Sequence, residues 1–237
     1  MGRNNYFQFK QFRIEQEQSA MKVGVDGVLL GAWADVSNAR NILDVGTGTG
    51  LIALMLAQRS LAKITAIEIE EKAATEAKEN VTASPWKNRV EIKHISFQEF
   101  VKERQDKFDL VVSNPPFFER AQKSQNTNRA IARHNDSLPF SHLIKLSAGI
   151  LGENGRLAVI VPFDAIRILD GLAQKNHLFL QRITEIKPHP DKATNRVLLE
   201  WGKKEGVLKK DCLTIYNTDN SFNSGYINLT KDFYLKF

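Results

Sequence analysis

NILDVGTGTG, residues 41–50, decides the fold of this 237-residue chain. An apolar run that ends in an acid opens here into alternating glycines, and an apolar helical pattern over residues 51–57 follows. This order predicts a buried strand, a tight turn and a helix. Gly46, Gly48 and Gly50 permit positive φ angles and let a ligand approach main-chain N–H groups at the helix N-terminus. We therefore expect a small ligand to bind at this turn.

The glycine loop does not fit the dinucleotide-binding fingerprint, which needs glycine or alanine where this chain has Leu51. No feature specific for pyrophosphate replaces it. An acid in the strand followed by G-x-G-x-G instead resembles the first motif of class I methyltransferases, which use S-adenosylmethionine (SAM). The resemblance implies that Gly46, Gly48 and Gly50 line the methionine part of SAM and that Asp44 orders their surroundings.

The composition is that of a globular protein. Hydrophobic residues make up 42% of the chain, and its length suits one α/β domain with additions. Cys212 is the single cysteine, so no intrachain disulfide can form, which favours a reducing compartment. No secretory signal core and no membrane-spanning stretch is evident, and we expect a cytoplasmic monomer without membrane attachment. The net charge of +6 favours a polyanionic partner.

Strand-like and helix-like segments alternate along most of the chain. The predicted strands cover residues 41–45, 63–67, 90–94, 108–113, 156–161, 178–186 and 196–201. This alternation predicts an α/β protein of the Rossmann-like methyltransferase class, with a doubly wound, mostly parallel, seven-stranded sheet and helices on both faces.

We expect a single domain over residues 1–237. Residues 37–202 are expected to form the core sheet, residues 1–36 to complete the cofactor and substrate site, and residues 203–237 to be a C-terminal addition. The aromatic residues near the N-terminus predict a short half-buried hairpin. The lysine pairs at 203–204 and 209–210 are interpreted as solvated turns.

Ligands of open α/β sheets bind at the carboxyl ends of the strands. Asp44 and Glu68 close the first two predicted strands, Ser96 follows the third and Asn114 follows the fourth. Glu68 lies 18 residues after Gly50, where such an acid accepts hydrogen bonds from ribose hydroxyls; the alternative is a solvated acid that caps the next helix. The predicted cofactor-binding residues are Lys22, Gly24, Asp26, Asp44, Gly46, Gly48, Gly50, Glu68, Ile69, Ser96, Phe97 and Asn114.

Asn114-Pro115-Pro116-Phe117 is the most specific local signal. Two consecutive prolines fix φ and remove two N–H donors, so the loop presents carbonyls, an amide and an aromatic face. It resembles the catalytic motif of methyltransferases that modify exocyclic or amide nitrogens. The resemblance implies that Asn114 Oδ1 and the Pro115 carbonyl accept hydrogen bonds from the target NH₂ while Phe117 stacks on its ring. The alternative is a rigid turn.

Similar loops serve adenine-N6, guanine-N2 and protein-glutamine methyltransferases, so this motif alone leaves the substrate open. Residues 9–12, 20–27 and 29–34 are similar to the start of the bacterial tRNA1(Val) (adenine(37)-N6)-methyltransferase family, and the resemblance continues through residues 53–59, 84–86, 196–199 and 233–235. It implies methyl transfer to N6 of adenine 37 in the anticodon stem-loop. The alternatives are a guanine-N2 rRNA methyltransferase, a protein-glutamine methyltransferase and a SAM-binding RNA chaperone without catalysis.

Three positions depart from the family pattern. Val25 replaces a usual Thr, Ser96 replaces an acid that accepts from the adenine amine of SAM, and Phe117 replaces a commoner Tyr. A hydroxyl accepts more weakly than a carboxylate, and Phe97 is available for stacking there. None of the three changes removes the predicted catalytic apparatus.

A basic, polar stretch follows the Asn-Pro-Pro-Phe motif at residues 119–135 and suits a substrate clamp for RNA. The alternative is a solvated surface loop. By the parallel-sheet argument the loop at residues 188–195 also faces the active edge. The predicted RNA-binding residues are Arg120, Lys123, Arg129, Arg133, His189 and Lys192. The other histidines lack metal-ligand spacing, and no metal site is predicted.

Overall fold

The computed structural model describes residues 5–19, 21–103, 106–116 and 138–237. The strands are β1 (Tyr6–Gln8), β2 (Arg13–Glu15), β3 (Asn41–Val45), β4 (Lys63–Glu68), β5 (Val90–His94), β6 (Phe108–Ser113), β7 (Leu151–Pro162), β8 (Phe179–Lys187), β9 (Arg196–Gly202) and β10 (Lys209–Thr214). The α-helices are α1 (Val25–Trp33), α2 (Leu51–Arg59), α3 (Glu71–Thr82), α4 (Phe97–Lys102), α5 (Phe140–Ile150), α6 (Ile166–Lys175) and α7 (Ser224–Thr230). Within these described ranges, no helix has the length and apolar character needed to cross a bilayer.

Eight strands form one sheet in the order β10-β8-β9-β7-β6-β3-β4-β5. Neighbouring strands are parallel except around β9, which runs antiparallel to β7 and β8. Ile42 of β3 belongs to a buried cluster shared with α1 and α2, while Leu43 and Val45 belong to a second cluster shared with α5 and α6. Because successive strand residues point to opposite faces, the helices cover both faces of the sheet. The Rossmann-like, mostly parallel α/β fold is therefore confirmed.

The predicted count of seven strands is wrong, because β10 adds an eighth strand beside β8. The lysine pair at 209–210, interpreted as a solvated turn, begins this strand, and its first four residues are exposed. An edge strand packs against only one neighbouring strand, so it lacks the apolar periodicity that marks a buried strand. The sheet therefore extends to Thr214, beyond the predicted limit at residue 202.

The predicted N-terminal hairpin is confirmed, since β1 and β2 pair antiparallel. Two buried polar side chains of α3 hold this hairpin and the segment after it. Asn80 accepts the Glu15 N–H at 2.8 Å and donates to the carbonyls of Glu15 and Thr49, both at 2.9 Å. Glu76 accepts the backbone N–H groups of residues 17, 18 and 19 at 2.6, 2.8 and 2.9 Å. The N-terminal segment is thus fixed beside the glycine loop.

The C-terminal segment packs against the same hairpin. The Lys10 N–H donates to the Phe233 carbonyl at 2.8 Å, and Lys10 Nζ donates to the Lys231 carbonyl at 2.7 Å. Phe9 stacks on Tyr234 with ring centroids 6.0 Å apart. Both ends of the chain therefore contribute to one packed layer.

We predict that Glu76→Ala lowers the free energy of unfolding by about 2–4 kcal/mol, because three N–H groups lose a buried charged acceptor. Denaturant unfolding followed by circular dichroism measures the change. Glu76→Gln retains one acceptor oxygen and is expected to lose less. Glu79→Ala, at an exposed position of the same helix, is the control. Equal stability of the Glu76→Ala and Glu79→Ala proteins would contradict the anchoring role.

Candidate active site

The glycine loop between β3 and α2 takes the shape that its sequence predicts. Gly46, Gly48 and Gly50 have φ angles of 72°, 56° and 83°, in the left-handed region that residues with a Cβ atom rarely adopt. A Cβ atom at Gly46 would meet no atom within 4 Å. The backbone there faces open space, which leaves room for a ligand.

Glu68 holds this loop from the end of β4. Its Oε2 accepts the Gly48 N–H at 2.9 Å, while its Oε1 accepts the N–H groups of Ile69 and Glu70 at 2.9 and 3.0 Å. Glu68 therefore accepts hydrogen bonds from the backbone just before α3, as expected if it caps that helix. It also contacts the glycine loop through the Gly48 N–H. A carboxylate offers about four acceptor sites, so it retains capacity for ribose hydroxyls. That role, and a role for the exposed Ile69, stay predictions.

One cavity of about 560 Å³ opens at the carboxyl edge of the sheet. Its walls come from the loop before α1, the glycine loop, the first turn of α2, the Asn-Pro-Pro loop after β6 and the start of β9. The predicted cofactor-binding residues that line it are Lys22, Gly24, Asp26, Gly46, Gly48 and Asn114. A larger groove of about 870 Å³ lies at the opposite edge and includes none of the predicted site residues.

Arg196 lines the cavity and was not predicted from the sequence. Its Nε lies 2.9 Å from Asp26 Oδ2, so an ion pair joins the start of β9 to the first turn of α1. The two residues are 170 positions apart. The antiparallel direction of β9 brings its first residue to the carboxyl edge, and only the strand order reveals this.

Asp44 is fully buried beneath the loop. Thr47 Oγ1 donates to its Oδ2 at 2.6 Å, and Oδ1 has no hydrogen-bond partner among the described residues. Burial raises the pKa of this carboxyl group to about 7, against the opposing effects of hydrogen bonds from Thr47 and the Ala53 backbone, and the charge of Glu68 raises it further. A cation near the loop would favour the ionised form. The position suits the ordering role that the family resemblance implies for Asp44.

Asn114 follows β6, whose last residue is tied to the neighbouring strand. Ser113 Oγ donates to the Val45 carbonyl at 2.9 Å, directly before the glycine loop. Asn114 Oδ1 is buried and has no hydrogen-bond partner in the described part of the chain. Leaving such an acceptor unpaired costs about 1–3 kcal/mol, which marks the group as a candidate for binding a donor from outside the protein. Pro115 is buried, and Pro116 is exposed and lines the cavity.

Ser96 and Phe97 begin α4 outside the cavity lining. Ser96 is the N-cap: it accepts the Glu99 N–H at 3.2 Å, and its hydroxyl donates to Glu99 Oε2 at 2.6 Å. Phe97 is buried in the second hydrophobic cluster. The sequence carries the signal for this cap, Ser followed three residues later by Glu, which the sequence interpretation overlooked. Contact of either residue with SAM stays a prediction.

The loop between β8 and β9 lies at the same edge of the sheet as the cavity. His189 and Lys192 line a shallow cleft together with Asn195 and Tyr216, and Asn195 directly precedes Arg196 of the cavity. Phe117, Arg120, Lys123, Arg129 and Arg133 lie outside the described residues. Among the described residues, no three His, Cys, Asp or Glu side chains are close enough to hold a metal ion.

The cavity residues fit SAM. The volume of the cavity suits a small cofactor. Lys22 and Arg196, which line it, offer cations for the carboxylate of that cofactor. The carboxylate of Asp26 and the carbonyl-rich Asn-Pro-Pro loop suit the cationic part of such a ligand. The buried carboxyl group of Asp44, directly below the loop, would be shifted toward its ionised form by a nearby sulfonium ion.

Comparison with known proteins identifies the family of the chain. Residues 24–163 match the family model described as the methyltransferase small domain. Among solved structures, a predicted O-methyltransferase from Agrobacterium tumefaciens superimposes with a TM-score of 0.67 at 20% identity, covering 88% of this chain and 96% of that one. This likeness shows the class I methyltransferase fold.

Two curated relatives extend over almost the whole chain. The tRNA1(Val) (adenine(37)-N6)-methyltransferase of Trichodesmium erythraeum is 47% identical over 236 residues, covering 98% of this chain and 99% of the relative. The protein of the same name from Haemophilus influenzae is 44% identical over 235 residues, with 98% and 99% covered. The chain therefore belongs to the tRNA1(Val) (adenine(37)-N6)-methyltransferase family, a family of SAM-dependent enzymes.

Proposed function

We propose that this protein transfers a methyl group from SAM to N6 of adenine 37, beside the anticodon of tRNA1(Val). The observation that carries the proposal is the buried Asn114 Oδ1, which has no hydrogen-bond partner among the described residues and belongs to the cavity that the glycine loop also lines. An acceptor at this position matches an amine substrate. The names of relatives that cover nearly the whole chain support adenine 37 of tRNA1(Val) as the base that carries this amine.

Asn114 and Pro115 are the residues that we propose to orient the amine. Asn114 Oδ1 accepts one N–H of the target NH₂, and the Pro115 carbonyl accepts the other. Two acceptors in fixed positions direct the nitrogen lone pair toward the cavity and raise its electron density. Because Pro115 and Pro116 have fixed φ angles, the loop holds these acceptors with little freedom. Phe117 is proposed to stack on the adenine ring.

The glycine loop, Lys22, Asp26 and Arg196 are proposed to hold SAM. SAM, when bound, supplies an electrophilic methyl group on a sulfonium sulfur. The Asp26–Arg196 ion pair joins α1 to β9 across the cavity and fixes the two walls relative to each other. Glu68 supports the glycine loop through the Gly48 N–H and is proposed to accept hydrogen bonds from the ribose.

The proposal also specifies which part of the RNA the protein binds. A base in the anticodon loop is unpaired, so it needs only to unstack before its amine reaches the cavity. A net charge of +6 suits a phosphate backbone. We propose that one copy of the chain, in the cytoplasm, binds the anticodon stem-loop, with Arg120, Lys123, Arg129 and Arg133 as phosphate contacts.

Product identity tests the proposed function. The protein is incubated with SAM and, in separate reactions, with total tRNA, with rRNA and with cell protein from a strain that lacks the enzyme, and the digested RNA and peptides are analysed by mass spectrometry. We expect N6-methyladenosine at position 37 of tRNA1(Val). Methylguanosine in rRNA, a methylated glutamine in a protein, or tight RNA binding without methyl transfer to any RNA would contradict the proposal.

We predict that Asn114→Ala lowers the single-turnover rate of methyl transfer roughly a hundredfold or more, because the target amine loses a positioned acceptor. SAM affinity measured by calorimetry is expected to stay near that of the wild type, since the glycine loop and Glu68 are unchanged. Asn88→Ala removes an exposed amide at the opposite edge of the sheet and is the control. Full activity of Asn114→Ala would show that the loop is only a rigid turn.

We predict that Glu68→Ala weakens SAM binding about tenfold to a hundredfold, because the ribose and the Gly48 N–H lose a charged acceptor. Glu68→Gln retains one acceptor oxygen and is expected to bind with intermediate affinity. Calorimetry with SAM measures both variants, and denaturant unfolding separates loss of affinity from loss of stability. Unchanged SAM affinity of Glu68→Ala would rule out the ribose role.

A further inference from the structure

Exposed aromatic rings follow the carboxyl ends of two strands on the substrate side of the sheet. Phe163 directly follows β7 and is 39% exposed, and Tyr216 lies two residues after β10 and is 37% exposed. Both rings lie at the edge where the cavity opens. An aromatic ring that is more than a third exposed at this edge is available to stack on a base.

Tyr216 is the outer end of a stacked aromatic column. Its ring stacks on Phe222 with centroids 5.0 Å apart and planes 25° apart, and Phe222 stacks on Tyr226 at 5.5 Å and 23°. Tyr226 is buried, whereas Phe222 is 38% exposed. The column therefore runs from the core to the surface and holds the Tyr216 ring in a fixed orientation.

Polar and charged side chains lie between this column and the active site. Tyr216 lines the cleft of the β8–β9 loop with His189 and Lys192, and Asp191 Oδ2 lies 3.5 Å from His189 Nδ1. The Tyr216 N–H donates to the Pro188 carbonyl at 3.2 Å, which joins β10 to this loop. A ring beside a lysine and hydrogen-bonding side chains is a combination that binds single-stranded nucleic acid.

Consecutive residues of the chain line the cleft and the cavity. Asn195 lines the cleft, and the next residue, Arg196, lines the cavity. The Phe163 N–H donates to the Asn195 carbonyl at 3.3 Å. Phe163 follows β7, and the neighbouring strand β6 is followed by Asn114. Phe163 therefore lies between the Asn-Pro-Pro loop and the cleft.

We propose that Phe163, His189, Lys192 and Tyr216 form an edge track that binds unpaired RNA nucleotides next to the target adenine, each ring stacking on one base. The inference rests on the proposed function and names the part of the RNA that the protein reads beyond the methylated base. β7 and β10 are three strand spacings apart, roughly 14 Å, so the two rings contact different nucleotides.

One feature favours RNA over a protein partner for the edge track. Polar and charged residues of the cleft, among them Lys192 and Asn195, lie between Phe163 and the aromatic cluster that contains Tyr216, whereas a protein interface centres on a contiguous apolar patch. The Tyr216 ring is also not required for packing of the C-terminal segment, because Tyr226, Tyr234 and Phe237 contact one another.

The test compares full-length variants in binding to a short single-stranded RNA and to the anticodon stem-loop, each carrying 2-aminopurine beside the target adenine. We expect Tyr216→Ala and Phe163→Ala each to weaken binding about fivefold to a hundredfold and to reduce the fluorescence quenching that stacking causes. Tyr216→Phe keeps the ring face and is expected to bind as the wild type does. SAM affinity is expected to be unchanged in all of these variants.

Phe237→Ala is the matched control, because it removes a 44% exposed ring of the same aromatic cluster that is not part of the cleft. Wild-type affinity and quenching in Tyr216→Ala and Phe163→Ala would overturn the edge track. An equal loss in Phe237→Ala would also overturn it, since the effect would then come from packing. If this surface captures a protein and the wild type binds no RNA, the edge track is also overturned.

The edge track and the proposed function fail in different ways. If Tyr216→Ala and Phe163→Ala weaken RNA binding and quenching, Phe237→Ala does not, and the wild type forms no methyladenosine in tRNA, the edge track is supported and the proposed function is contradicted. A protein that methylates adenine 37, with Tyr216→Ala and Phe163→Ala binding RNA as tightly as the wild type, supports the function and overturns the edge track.

Discussion

Three backbone N–H groups of residues 17–19 converge on the buried carboxylate of Glu76, and the assembly of the site depends on this contact. Asn80, one helical turn later, bonds both the hairpin and the Thr49 carbonyl of the glycine loop. Together they fix the N-terminal segment against the loop, so that residues 21–27 form a wall of the cavity. A purely apolar helix face could not hold an irregular segment in this way, because the backbone N–H groups of the segment would stay unpaired.

The cavity is therefore formed by segments that are far apart in the chain and meet only in the tertiary structure. The glycine loop is tied to β4 through Glu68, the Asn-Pro-Pro loop is tied to β3 through Ser113, and α1 is tied to β9 through the Asp26–Arg196 ion pair. Each tie is a hydrogen bond or ion pair at the carboxyl edge. The sheet supplies the rigid frame, and these few polar contacts position the loops upon it.

Two buried oxygen atoms at the site lack a hydrogen-bond partner in the described ranges, Asp44 Oδ1 and Asn114 Oδ1. Both carry a desolvation cost that a protein selected only for stability would avoid. One lies below the loop proposed to hold SAM, and the other belongs to the loop proposed to hold the amine. Each proposed role therefore has a buried acceptor beside it.

The sequence by itself determined the parts of this protein that depend on local backbone chemistry. Positive φ angles at Gly46, Gly48 and Gly50, the constrained Asn-Pro-Pro turn and the alternation of strands and helices follow from residue type and spacing over short ranges. Only the tertiary structure decided that β10 joins the sheet, that Arg196 reaches Asp26 and that Tyr216 stands beside Lys192. The physical reason is that an edge strand, an ion pair and a surface cleft are defined by neighbours distant in sequence, and no local pattern records which neighbours folding brings together.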